Sequence, residues 1–191
     1  MIIISDTTPL RYLIEIEEVH ILPKLFGKVI IPEKVSAELQ DPKTPEAVKG
    51  WIQALPEWLE VRRADTTLFT PQKRIGDGAR EAFALALALK AAAVLLDDRG
   101  AAVEAKRLNI TTIPTFALIE RASEMKLLDL PDTVNKMRQT TFRLPPEELI
   151  EAMLERDRGR KLKELEQGRL TLDPEEKPQE RDKARWQDYG E

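Results

Sequence analysis

Ile2-Ile3-Ile4-Ser5-Asp6, at the start of the chain, is a β-branched run closed by an acid, and Val94-Leu95-Leu96-Asp97-Asp98 repeats the pattern far downstream. Short continuous apolar runs of this kind read as strands buried on both faces. In a parallel α/β sheet the carboxyl ends of strands open onto the ligand crevice, so acids placed there point into it and away from the core. Two more acids, Glu38 and Glu81, interrupt helical patterns that are otherwise apolar. Four or five carboxylates drawn together without a balancing base repel one another unless a divalent cation stands between them. The pattern therefore predicts an Mg²⁺ or Mn²⁺ site.

Outward from these two runs, strands and helices alternate. After the strand at 2–5, Pro9 is expected to open a helix carrying Leu10, Leu13 and Ile14 on one face, with Thr8 as its N-cap and Asp6 two residues too early to cap it. A second helical stretch covers 19–25, a strand 28–31 stops at Pro32, and short helices follow over 33–39 and 45–54. An edge strand at 59–61 leads to a polar loop over 66–78. Then come a helix over 79–90, a strand at 94–96, a helix over 101–108, a brief strand at 112–113 and a helix over 116–125. Such alternation argues for a parallel sheet covered by helices on both faces.

The chain length of 191 residues suits one domain plus an extension. With no cysteine there is no disulfide framework, zinc-thiolate site or thiol nucleophile, and the composition suits a reducing cytosol. Neither a signal peptide nor a membrane span is legible at the N-terminus. Residues 147–191 hold 14 acids and 10 bases, so residues 1–146 are balanced at 20 of each and the C-terminal segment carries the whole net charge of −4. A neutral domain has no broad basic footprint, so a phosphate substrate would be held by local Arg and Lys and by the metal.

The expected organisation is a domain over 1–145, a C-terminal helix over 146–170 and a charged, mobile tail over 171–191. Pro145-Pro146-Glu147-Glu148 is a helix start, and Leu149, Ile150, Met153, Leu154, Leu162 and Leu165 recur at helical spacing. His20 is the only histidine and has no Ser, Cys or second His to work with, so it reads as structural. There is no phosphate loop, and Gly76-Asp77-Gly78 lacks the context of a dinucleotide fingerprint.

Each acid also has a plainer reading. Glu81 would favour the positive end of its helix dipole, Glu38 would be a solvated helix acid, and Asp98 would cap the following helix, which leaves Asp97 the less explicable of that pair.

Four motifs in order carry a resemblance: Ser5-Asp6-Thr7-Thr8-Pro9-Leu10, Ile31-Pro32-Glu33-Lys34-Val35-Ser36-Ala37-Glu38-Leu39, Arg80-Glu81-Ala82-Phe83-Ala84-Leu85-Ala86 and Leu95-Leu96-Asp97-Asp98-Arg99. Over residues 1–145 the chain resembles the PIN-domain ribonucleases, in particular the VapC-like branch of prokaryotic toxin-antitoxin proteins. The resemblance implies a PIN-like three-layer α/β/α sandwich with a central parallel sheet of four to five strands, here with the C-terminal helical extension. It also implies a cytoplasmic homodimer, a possible antitoxin partner and an acidic cluster holding Mg²⁺ or Mn²⁺. Carried over by motif, Asp6, Glu38 and Asp97 or Asp98 resemble the metal-binding acids, Glu81 the remaining catalytic acid, and Thr8 a supporting hydroxyl near the metal. The branch commonly has Gly-Glu-x-Glu where this chain has Gly78-Ala79-Arg80-Glu81.

The chemistry this implies is hydrolysis of an RNA phosphodiester by a metal-activated water, leaving a 5′-phosphate. Arg11, Arg80 and Arg99, close in sequence to the acids, are candidates for holding RNA phosphates. Two other readings stand beside it. One is a catalytically impaired PIN-like module that binds RNA or a protein. The other is a phospho-acceptor domain using Asp6 or Asp97 covalently, which lacks a second aspartate two residues after Asp6.

Overall fold

A computed structural model of the chain describes residues 1–167. Five strands, β1 (Ile3–Ser5), β2 (Val29–Pro32), β3 (Leu59–Arg62), β4 (Ala93–Leu95) and β5 (Thr112–Ile113), form one parallel sheet in the order β3-β2-β1-β4-β5. The chain winds one way from β1 through β2 to β3, then crosses back to lay β4 on the other side of β1. The strand order reverses between β1 and β4, which is where an open parallel sheet forms its ligand crevice.

Alternation along the first run builds two layers at once, because successive side chains of a strand face opposite ways. Ile3, with Val29, Ile31, Ala93, Leu95 and Ile113, belongs to the larger core. It packs α1 (Thr7–Glu15), α2 (Ile21–Phe26), α4 (Glu46–Gln53), α7 (Thr115–Glu124) and α8 (Leu130–Arg138). Ile4, with Ile30, Val94 and Leu96, faces the second core under α5 (Asp77–Leu89) and α6 (Arg99–Arg107). The short α3 (Glu33–Leu39) runs straight on from β2 and buries Val35 and Leu39.

Three expectations need correction. First, α1 begins at Thr7, with Asp6 in the N-cap position and Pro9 inside the first turn. The first-turn N–H groups have no intrahelical partner, so proline costs nothing there and does not mark the start. Second, the polar loop contains a 3₁₀ turn at Thr66–Leu68, capped by Asp65, and ends at Asp77, so Gly78 is helical. Third, the sequence pattern did not reveal α8, whose N-cap is Asp129.

Helix α9 (Glu147–Glu166) lies against α7 and α8. Of its predicted apolar stripe only Ile150 and Met153 are buried and Leu154 is half-buried, while Leu149, Leu162 and Leu165 are exposed. Its far half is held by charge instead. Asp157, 2% exposed, accepts from the Ser123 hydroxyl at 2.6 Å and meets Arg160 and Lys161 at 3.1 and 3.0 Å. Arg156 reaches Glu120 at 2.8 Å and Arg160 reaches Glu124 at 3.2 Å. The expected tail over 171–191 lies outside the described residues, as do the last residues of the 146–170 helix. Among the described residues no helix is long and apolar enough to cross a membrane.

Candidate active site

The acids gather at the carboxyl edge of the sheet because β1 and β4 are paired in register, Ser5 beside Leu95. The Asp6 amide continues that ladder by donating to the Leu95 carbonyl at 3.0 Å. Asp6 therefore leaves the sheet on one side of the crevice and Asp97 on the other. Glu38 reaches the same place from the last turn of α3, and the first turn of α5 closes over it.

Gly78 shows how tight this closure is. A Cβ at Gly78 would stand 3.0 Å from Asp6 Oδ1 and 3.1 Å from Glu38 Oε2, so those two oxygens lie at most 6.1 Å apart. The backbone of α5 thus passes close to the acid pair, and any larger residue at this position would make the two carboxylates give way by a few tenths of an ångström. Gly78→Ala gains helix propensity of about 1 kcal/mol yet pushes a methyl group against both carboxylates. We expect a melting temperature close to wild type, while any activity that depends on the acid pair falls about tenfold or more, measured by thermal unfolding and an activity assay on the same preparations.

Asp6 is buried and its pKa is pushed up to about 6, first by loss of solvent, with the Thr7 backbone hydrogen bond opposing the rise and the negative charges of Glu38, Asp97 and Asp98 adding to it. All three acids are therefore near enough to act on Asp6. Asp97 is also raised by burial, against two hydrogen bonds from Thr115: its amide donates to Oδ1 at 2.9 Å and its hydroxyl to Oδ2 at 2.6 Å. Asp98 is exposed, and its Oδ1 accepts from Ala101 N at 2.6 Å as the N-cap of α6. Glu81 is half-buried and accepts from Lys34 N at 3.0 Å, in the first turn of α3. Asp6, Asp97 and Asp98 thus each meet the amino end of a helix, as does Glu81, and there unpaired amides and the helix dipole favour negative charge.

Three residues of this site escaped the sequence reading. Thr7, not Thr8, bridges the acids, since its hydroxyl donates to Glu38 Oε2. Thr115 orients Asp97 from the first turn of α7, and Gly78 sets the roof. For Thr115 the only available signal was its place just after a short strand and Pro114. Among the arginines, Arg11 is engaged with Glu15 at 2.7 Å and lies over the Tyr12 ring, whereas Arg80 and Arg99 are exposed and make no ion pair among the described residues. His20 lies away from the acids, near Glu18 and the Leu127 carbonyl.

Among the described residues no three acids stand ready-made as an ion cage. The donor set nevertheless fits a hydrated Mg²⁺, which is commonly held through one or two carboxylates while keeping several waters. Asp6 and Glu38 supply hard oxygens beside the same point of α5, and the charges of Glu38, Asp97 and Asp98 add to the rise in the Asp6 pKa.

A family model described as a PIN domain matches residues 2–157 of the chain. No curated protein and no solved structure matches it.

Proposed function

Because the chain belongs to the PIN-domain family, whose members are as a class metal-dependent nucleases, we propose that it is an Mg²⁺- or Mn²⁺-dependent endoribonuclease. The observation that carries this reading is the convergence of Asp6, Glu38 and Asp97 on the crevice between β1 and β4, where burial and the neighbouring carboxylates raise the Asp6 pKa. In this reading Asp6 and Glu38 hold the metal, Asp97 completes its shell, and Asp98 adds charge from its capping position. A bound divalent cation would lower the pKa of a coordinated water and neutralise charge on the phosphate.

The chain's own residues do the rest. Thr7 fixes the Glu38 carboxylate and Thr115 fixes that of Asp97, so neither acid must be reoriented when substrate arrives. Asp6, its pKa raised to about 6, is mostly ionised at neutral pH, the form in which it would serve as a metal ligand, and takes up a proton as pH falls through about 6. Arg80 and Arg99 are free to meet phosphates. We further propose a VapC-like toxin role with a protein antitoxin, a homodimeric state and action in the cytosol; the resemblance of the four motifs supports these.

The test is cleavage of a fluorescent structured RNA with Mg²⁺, Mn²⁺ or EDTA. Cutting should require metal. Asp97→Asn should lower kcat by about a hundredfold or more, while Asp98→Asn, which keeps a capping oxygen, should stay within about tenfold of wild type. Equal losses in the two variants would move Asp98 into the metal shell, and metal-independent cutting would overturn the reading. RNA binding without cleavage under any metal would favour the impaired-module alternative.

A further inference from the structure

The segment leading into α5 is tied down by an ion pair between buried Glu104 and exposed Arg107 that the acid cluster does not use. Glu104 on α6 is 1% exposed, and its Oε1 accepts from the Arg107 guanidinium at 2.5 Å and from the backbone amide of Gln72 at 3.1 Å. Arg107 in turn donates to the Thr70 carbonyl at 3.3 Å. A surface loop rarely engages a fully buried carboxylate unless its course matters, because removing that charge from water is costly.

The latch holds residues 70–72 beside α6, and the next two residues, Lys73 and Arg74, are exposed and make no ion pair among the described residues. Lys73 is close enough for its charge to act on Glu104. Arg74 stands four residues before Gly78, so its Cα is within about 14 Å of that glycine however the chain runs. Gly78 is the residue at which an added Cβ would meet both Asp6 and Glu38.

We infer that Lys73 and Arg74 form an anion-binding arm that holds phosphates of the RNA strand flanking the cut, with Glu104 and Arg107 as the positioning pair that fixes the arm. This deepens the nuclease reading and rests on it for the identity of the strand. The domain is electrically neutral over residues 1–146, so a local cationic arm is what would draw a polyanion to this edge.

The test uses full-length protein and fluorescein-labelled single-stranded polyuridine, with binding followed by anisotropy across a salt series and cleavage assayed in parallel. Lys73→Ala/Arg74→Ala should weaken binding about tenfold and reduce the slope of log K against log salt by about 1.4, the value for two phosphate contacts on a single strand. Its kcat should stay within about threefold of wild type. Lys28→Ala/Lys90→Ala, the same charge change at the opposite edge of the sheet, should leave the slope unchanged. Glu104→Gln should raise KM while sparing kcat, whereas a purely structural role would lower the melting temperature and leave KM alone.

Cleavage by wild type with binding unaltered in the Lys73/Arg74 variant overturns the arm and leaves the nuclease reading intact. Arm-dependent binding without cleavage supports the arm and overturns the nuclease reading. A slope lost equally in both double variants would mean diffuse attraction and would also overturn the arm.

Discussion

Asp6→Asn protein should lose metal-dependent cleavage at least a hundredfold and, at pH 7 without metal, melt at a higher temperature than wild type. The two effects share one cause. A carboxyl group whose pKa is about 6 when folded and 3.8 in its ordinary state favours the folded chain only while protonated. Its contribution is fully present below about pH 4 and is lost as pH rises through about 6. At pH 7 the ionised group therefore costs about 3 kcal/mol, a ceiling for what asparagine recovers and worth roughly 6 °C or more in a domain of this size. Thermal unfolding of both proteins from pH 4 to 7.5 checks this. The melting curves should coincide near pH 4 and diverge as pH rises, and Mg²⁺ should raise the wild-type value at pH 7 more than that of the variant. A gap independent of pH would mean that the charge on Asp6 is already compensated.

Phe83→Ala should be the most damaging single change to folding. Phe83 is fully buried in the core beneath α5, with the Phe69 ring 6.4 Å away. The loss is about 4 kcal/mol, which lowers the melting temperature by roughly 10 °C. Denaturant unfolding should show a lower midpoint with an unchanged slope. Phe83 also holds the helix whose first turn carries Gly78 beside the acids, so cleavage measured well below the new midpoint should fall as well. Retained activity at full folding would show that α5 keeps its place through its flanking alanines, Ala79, Ala82 and Ala86.

Much of this molecule follows from local chemistry that periodicity records directly. The run from Ile2 to Asp6 specifies a strand buried on both faces with an acid at its open end, and β-α alternation then specifies a parallel sheet. Asp6, Glu38, Asp97 and Asp98 could be named without a structure, because carboxylates at strand ends or on apolar helices conflict with burial unless something else uses them. What the sequence could not decide is who touches whom. Nothing local says that β4 lies beside β1, yet that adjacency alone brings Asp97 to Asp6. Whether Asp97 or Asp98 spends its carboxylate on the following helix depends on where α6 and α7 begin in space. Thr7 and Thr8 are the same residue type side by side, and the sequence does not say that it is the Thr7 hydroxyl that donates to Glu38, while Gly78 matters solely because two distant side chains converge beside it. The polar seam of α9 was hidden for the same reason, since its charges look like solvent-facing residues until α7 supplies their partners. Sequence patterns encode each residue's preference for water or core, while strand order and register decide which of those residues meet.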